Sequence, residues 1–155
     1  MKKVFSLVLA FALIFSVSGL AAYADNSSII SFEVIEDNDE YYVVKTVYEE
    51  SNFSLYSVNS TKTKSGYATI EMYNKSNELI ATLTVYGTFT YNGKTSKATM
   101  ASCDFDIFMS GWSCTAANSY CSGDTAYATA TFEKFLARDI DATVTLTCSP
   151  SGVLS

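Results

Sequence analysis

The sequence predicts an all-β protein, built as an antiparallel two-sheet sandwich. Apolar and polar residues alternate in one segment after another, which is typical of half-buried strands. Turn-forming residues separate these segments at short intervals, and no window after residue 24 shows a helical period. The 155 residues include only one proline and eleven tyrosines. Tyr, Val and Thr recur in the alternating segments and favour strands.

The clearest element is a hairpin that spans residues 78–109. Its first arm places Leu, Ala and Val on one parity and Thr and Tyr on the other, as far as Tyr91. Asn92-Gly93 follows, a pair that tolerates the two positive φ angles of a type I′ turn. The second arm runs over residues 96–109 with the same alternation. We take this hairpin as the centre of the fold, because it is the strongest short-range β signal in the chain.

Six further segments show the same alternation and bring the expected number of strands to about eight. They cover residues 29–36, 40–50, 53–58, 66–73, 125–135 and 140–148. Gly111-Trp112-Ser113 interrupts the pattern, and residues 114–121 are predicted to be a loop or a short hairpin. The sequence shows no internal repeat and no linker, so we expect one β-sandwich domain over residues 25–155.

The first 24 residues have the pattern of a secretory signal peptide. Lys2 and Lys3 precede an apolar run over residues 4–17, and Ala22-Tyr23-Ala24 supplies a small-x-small cleavage site. An uncleaved membrane anchor is the alternative, but the apolar run is shorter than the roughly 17–25 residues of a spanning helix. We therefore expect cleavage after Ala24 and a secreted, extracellular protein that has no membrane contact.

The charge is acidic and unevenly distributed. Loss of Lys2 and Lys3 with the signal would leave eight basic residues against sixteen acidic ones, a net charge of −8. Residues 25–50, the expected N-terminal hairpin, hold eight of those acids and one lysine. Nucleic-acid binding is disfavoured, because phosphate neutralisation requires clustered Lys and Arg. The acidic hairpin would instead steer a basic partner towards the protein.

Four cysteines follow the signal, at Cys103, Cys114, Cys121 and Cys148. An even number in an exported chain indicates two disulfides. Strand parity favours Cys103–Cys148. Cys114 and Cys121 are close in sequence and flank a predicted turn, which favours Cys114–Cys121, while a swapped pairing stays open. A structural zinc site is disfavoured, because such sites usually contain a close Cys-x-x-Cys pair that this chain lacks.

Catalytic motifs are scarce. The chain contains no histidine, which excludes Ser-His-Asp and Cys-His sites. Asp104 and Asp106 share one face of a strand at a spacing that a glycosidase could use. Asp139 and Asp141 are spaced in the same way. Two acids on an exposed strand are far more often a solvated edge feature, so we expect no enzyme activity and treat a carboxylate-based glycoside hydrolase as the less favoured alternative.

No cofactor or metal site is expected. Residues 37–40 offer several side-chain oxygens that could bind Ca²⁺, but the ligand spacing of an EF-hand is absent. A solvated turn is the preferred interpretation of this segment.

Five aromatic residues are the candidates for binding. Tyr42 and Tyr48 share one strand face, and Tyr86 lies on the parity opposite its apolar neighbours. Tyr127 and Trp112 lie near a predicted surface or loop. Exposed aromatic rings bind sugars or proteins, because each buries apolar area while its polar tip stays hydrated. Ordinary packing in a pleated sheet is the alternative for each of them.

Three stretches in the C-terminal half carry a resemblance, at residues 87–93, 128–132 and 144–148. They resemble small exported proteins of Gram-positive bacteria, a group with no assigned activity. The resemblance implies export and an immunoglobulin-like sandwich, and it transfers no functional residue. The expected function is a secreted, disulfide-stabilised module that binds an extracellular protein or glycan. A structural subunit of a cell-surface assembly, joined through sheet edges, is the main alternative.

Overall fold

The structure is a computed structural model that describes residues 27–50, 61–135 and 138–155. These residues form eight strands and no helix, so none of them belongs to a helix that could cross a membrane. The strands are β1 (Ser27–Asp37), β2 (Tyr41–Glu50), β3 (Lys62–Asn74), β4 (Leu79–Tyr91), β5 (Ser96–Ile107), β6 (Trp112–Ser122), β7 (Thr125–Lys134) and β8 (Ile140–Thr147). The all-β prediction is therefore confirmed for the described part of the chain.

The strands form two antiparallel sheets. The larger sheet has the order β1-β2-β3-β4-β5 and the smaller has the order β6-β7-β8, so each strand pairs with its neighbours in sequence. The smaller sheet packs against β3, β4 and β5. The arrangement is sandwich-like: β2 contributes Val43 and Val47 to the core, while β1 forms the outer edge of the larger sheet.

The central hairpin lies where the sequence places it. β4 and β5 pair antiparallel, and Leu83, Val85 and Phe89 on the predicted inward parity are fully buried. The predicted type I′ turn is wrong, because Gly93 has a positive φ but Asn92 does not. Four residues connect the strands, and the Asn92 side-chain oxygen accepts hydrogen bonds from the backbone N–H groups of Lys94 and Thr95. The Asn92 side chain thereby supplies hydrogen bonds that backbone groups would supply in a tighter turn.

The predicted boundaries fail most clearly between residues 112 and 122. The sequence predicts a loop or short hairpin here, yet this stretch forms the eleven-residue strand β6 along β7. A bulge between Cys114 and Ala116 shifts its parity. The shift breaks the alternation on which the prediction depends. The predicted strand at 53–58 and the predicted signal peptide at 1–24 lie outside the described residues.

The core lies between the sheets, and two glycines paired within the larger sheet leave space for its side chains. Phe89 and Phe132, one from each sheet, are its largest fully buried side chains. Gly66 pairs with Gly87 across β3 and β4. A Cβ at Gly87 would lie 2.7 Å from the Phe89 ring, so the missing side chain makes room for the aromatic ring.

The disulfide prediction is wrong in this structure. All four cysteines are free, and no pair of them lies at disulfide distance. Cys114 and Cys121 lie on the same strand, β6, which separates their Cα atoms by roughly 20 Å. A disulfide requires Cα atoms within about 7 Å of each other.

Cys103 and Cys148 both face inward, as their parity indicates, but they lie on different parts of the core. Cys103 lies in the edge strand β5, which packs beside β6, and it pairs with Val85 of β4. Cys148 is fully buried just beyond β8, the strand that packs on β3 and β4. Burial raises the pKa of the Cys114 thiol, and the nearby Cys103 acts in the same direction. Cys114 is therefore a weak nucleophile at neutral pH.

Candidate functional site: the tyrosine face of the larger sheet

The outer face of the larger sheet, turned away from the smaller sheet, collects five tyrosines. The strand register places them on one face, because directly paired residues project to the same side of a sheet. Tyr42 pairs with Tyr73, and Tyr48 pairs with Tyr67, which in turn pairs with Tyr86. Val43, Met72 and their neighbours on the other parity are buried in the core. We call this surface the tyrosine face.

The tyrosines form two rows across the strands. Tyr42 stacks on Tyr73 with ring centroids 5.1 Å apart and planes within 10°. In the second row Tyr48 stacks on Tyr67 at 4.5 Å, and Tyr86 lies 5.6 Å from Tyr67 with its plane tilted by 40°. Stacked rings cover the sides that face each other, so the rows present ring edges outward. Tyr86 is the most exposed of the five, at 40%.

Two rows of residues lie between the tyrosine rows, and their Val and Thr side chains are buried or hydrogen-bonded to each other. Val44 is fully buried and Thr46 is 6% exposed, although both belong to this face. The Thr69 and Thr84 hydroxyls hydrogen-bond each other at 2.9 Å. The centre of the face is therefore shielded, and contact with a partner would depend on the tyrosines and the carboxylates around it.

Glu71 is the central charged group of the tyrosine face. Its half-buried side chain lies opposite Val44, and its Oε2 accepts a hydrogen bond of 3.0 Å from the Tyr73 hydroxyl. Burial raises the pKa of Tyr73, and the Glu71 carboxylate raises it further through its charge and this hydrogen bond. Burial and the charge of Glu71 also raise the pKa of Tyr42. Glu71 makes no ion pair within the described part of the chain.

Asp104 and Asp106, the pair that the less favoured glycosidase alternative would use, lie at one edge of the same face. They are exposed on β5, where Asp104 pairs with Thr84 and Asp106 with Thr82. Burial raises the pKa of Tyr86, and the Asp104 carboxylate adds to that shift. Between the two tyrosine rows, the described residues of the face include three carboxylates and no Lys or Arg. The face therefore carries an uncompensated negative charge.

The remaining two candidates lie elsewhere. Tyr127 stacks on Tyr120 at 4.8 Å on the smaller sheet. Trp112 begins β6 and packs partly against the core, with the Lys134 ammonium 5.7 Å from its ring centroid. Trp112 also lines a groove of about 400 Å³ with Tyr41 and Met109, and its indole N–H is buried without a hydrogen-bond partner among the described residues.

The acidic turn at residues 37–40 adjoins a second groove, of about 580 Å³. Glu36, Asp39 and Glu40 line one part of it. Asp139, just before β8, and Asp141, within β8, line another part beside Arg138. The Asn38 side chain orders the acidic turn by accepting hydrogen bonds from the backbone N–H groups of Glu40 and Tyr41. No group of three or more metal-ligating side chains suited to an ion occurs within residues 27–50, 61–135 and 138–155.

Of the five tyrosines and Glu71 on this face, the sequence identifies three and misses three. Tyr42, Tyr48 and Tyr86 are sequence candidates, and the structure brings them onto one surface. Tyr67, Tyr73 and Glu71, all on β3, are members that the sequence analysis did not identify. Their common parity, opposite the apolar residues of the same strand, is the signal that could have found them.

Comparisons with protein families, curated proteins and solved structures found no match for this chain. The resemblance to small exported proteins of Gram-positive bacteria therefore has no support from them. A proposal about function has to depend on the geometry and the charge of the tyrosine face.

Proposed function

We propose that this protein is a secreted binding module that docks a basic protein surface onto the tyrosine face. One observation carries the proposal: Glu71 is a half-buried carboxylate that is bordered by tyrosine rings and has no ion-pair partner in the described chain. A Lys or Arg side chain of a partner would supply the missing cation. Aromatic rings next to a carboxylate favour such a group through cation–π and charge-assisted contacts.

The stacking geometry favours a protein over a glycan. Sugars bind aromatic residues by lying on an open ring face. In this face Tyr42 stacks on Tyr73 and Tyr48 stacks on Tyr67, which leaves the ring edges for contact. The Tyr42, Tyr67 and Tyr73 hydroxyls already hydrogen-bond Asn77, Ser27 and Glu71. Tyrosine edges and hydroxyls are common contact groups in protein interfaces. The three carboxylates between the rows add electrostatic selectivity for a basic partner.

Export underlies this proposal and stays a prediction from the N-terminal sequence. The immunoglobulin-like assignment also stays a prediction. Strands that pair in sequence order give it little support, because Greek-key connections characterise that fold. A hydrolase that uses Asp104 and Asp106 is less favoured, because both side chains are exposed on an edge strand. Hydrolytic carboxylates usually work in a cleft that excludes water.

An array screen tests the proposal. The protein, purified after export, is applied to an array of purified extracellular proteins, both basic and acidic, and of glycans. A face variant with Tyr67→Ser and Tyr86→Ser is compared with a control variant, Tyr120→Ser and Tyr127→Ser, which alters the stacked pair on the smaller sheet.

We expect binding to basic proteins that the face variant loses by roughly tenfold or more and the control variant keeps. Loss of a central aromatic contact commonly costs at least about 2 kcal/mol, which supports that magnitude. Binding to glycans alone, equal loss in both variants, or no binding at all would contradict the proposal.

A further inference from the structure

The edge strand β1 is long, apolar and exposed. It has eleven residues, and its outer edge pairs with no other strand among the described residues. Its apolar residues are exposed by 39–61%: Ile29, Ile30, Phe32, Val34 and Ile35. The smaller sheet does not cover β1, because it packs on β3, β4 and β5. Of the features that protect edge strands, β1 lacks Lys, Pro and a short length, and it has three carboxylates and two bulges.

We propose that β1 pairs antiparallel with β1 of a second copy of this chain, about a two-fold axis at Phe32. In this register Ser31 lies opposite Glu33 of the second copy. The outer residues follow the same register. Ser28 meets Glu36 and Ser27 meets Asp37. Ile29 meets Ile35, and Ile30 meets Val34. Every carboxylate therefore lies opposite a serine, and every apolar residue lies opposite an apolar residue.

Other registers lose this complementarity. Directly paired residues must project to the same side, so the register can change only in steps that keep parity. A shift of the axis by one residue towards the C-terminus would place Glu33 against Glu33. The opposite shift would place Glu33 against Ile29. A parallel pairing in register would stack each acid on its own copy, and like charges directly opposite are destabilising.

The bulges of β1 lie outside the centre of the proposed pairing. The residues left unpaired with β2 are Ile30 and Ile35. In the proposed register Ile30 meets Val34 and Ile35 meets Ile29, so the two irregular positions flank a regular centre at residues 31–33. The central pairs therefore keep matching orientations in both copies.

The pairing would join two five-stranded sheets into one continuous sheet of ten strands. A two-fold axis perpendicular to the sheet leaves both tyrosine faces on the same side. The assembly is independent of what those faces bind, but it would make any such binding bivalent.

A charge swap tests the register. Ser31→Glu places a new carboxylate opposite Glu33 of the second copy at two symmetric positions, and Ser31→Lys places an ammonium group there instead. The double variant Ser31→Glu with Glu33→Lys restores opposite charges across the axis. Thr143→Glu adds the same charge at an exposed position of β8 and serves as the control. Sedimentation velocity of the exported full-length product, over a wide range of concentration, measures the dimer dissociation constant.

We expect a dimer in the wild type and in the control. Ser31→Glu should weaken it by roughly tenfold, because like charges directly opposite are destabilising and the two-fold axis creates two such pairs. Ser31→Lys should keep or strengthen the dimer, and the double variant should recover it. Thermal melts establish that each variant is folded.

Three results would overturn the proposal. A wild type that is monomeric at every concentration would exclude self-pairing. A dimer that Ser31→Glu leaves unchanged would place the interface elsewhere. Equal weakening by Ser31→Glu and Ser31→Lys would rule out the Ser31–Glu33 register.

Discussion

At the scale of single residues, the pair formed by Glu71 and Tyr73 determines the character of the tyrosine face. The Tyr73 hydroxyl donates a hydrogen bond to the carboxylate at 3.0 Å, and its pKa is raised by burial and by Glu71. Loss of the phenolic proton would place two negative charges side by side. Tyr73 therefore keeps its proton, Glu71 is the anion of the pair, and a basic side chain of a partner would supply the opposite charge.

The Tyr73 pKa gives a test that needs no partner. Glu71→Gln should lower the pKa of Tyr73 towards its ordinary value of 10.0, although burial alone should keep it above that value. The ultraviolet absorbance of tyrosinate during an alkaline titration measures the change. Glu133→Gln, which removes a carboxylate from the smaller sheet, is the control. An unchanged Tyr73 pKa in Glu71→Gln would contradict the contact.

The same shift links stability to alkaline pH. The folded state holds the Tyr73 proton more tightly than the unfolded state does. The stabilisation is therefore fully present below a pH of about 10 and is lost as the pH rises towards the folded-state pKa. In Glu71→Gln this loss should be complete at a lower pH, and denaturant unfolding at a series of alkaline pH values measures it.

Parity alone could have identified the missing site residues. Tyr67, Glu71 and Tyr73 alternate with Ala68, Ile70 and Met72, so their outward direction can be seen in the sequence. What the sequence does not contain is the register between strands. Register decides that Tyr42 meets Tyr73 and that Tyr48 meets Tyr67. That information arises from turn lengths and core packing across the sheet.

At the scale of elements, strand prediction succeeds where alternation is unbroken. The hairpin of β4 and β5 is the clearest case, and only its turn type is wrong. The sequence misses β6, because a bulge after Cys114 interrupts its alternation and because its residues are small and polar. The disulfide prediction fails for a related reason: it assigns a turn between Cys114 and Cys121 where the chain runs straight.

Gly66 provides a test of how β3 packs. A Cβ added there would lie 2.5 Å from Leu154 Cδ1 and 2.6 Å from the Tyr48 carbonyl oxygen. Gly66→Ala should therefore cost about 1–3 kcal/mol of unfolding free energy, as overpacking usually does. Gly93→Ala meets nothing within 4 Å, and it should cost about 1–2 kcal/mol through its positive φ alone.

A double-mutant cycle separates these two causes. In a Leu154→Ala background, Gly66→Ala should cost less, because one of its two clashes is removed, whereas the cost of Gly93→Ala should stay the same. Denaturant unfolding measures the free energy of each single and double variant. Strict additivity for Gly66 and Leu154 would contradict the packing of the C-terminal segment on β3.

At the scale of the whole molecule, the two sheets have different structural roles. The smaller sheet covers the inner side of β3, β4 and β5 and completes the core, so no described strand packs on the outer side of the larger sheet. The tyrosines, Glu71, Asp104 and Asp106 gather on that outer side. The sequence indicates two sheets, but it does not show which strands the smaller sheet covers or on which side. Those features depend on how the sheets are placed over each other.

Titration with a short oligolysine peptide, followed by NMR, tests the central claim most directly. Glu71→Gln and Glu40→Gln change the net charge equally, and only the first alters the tyrosine face. We expect the wild-type chemical-shift changes to concentrate at Tyr42, Tyr73 and Glu71. Glu71→Gln should weaken peptide binding by roughly tenfold, in line with the loss of one buried charge-assisted contact. Chemical-shift changes centred on the turn at residues 37–40, with equal weakening by both variants, would contradict the account.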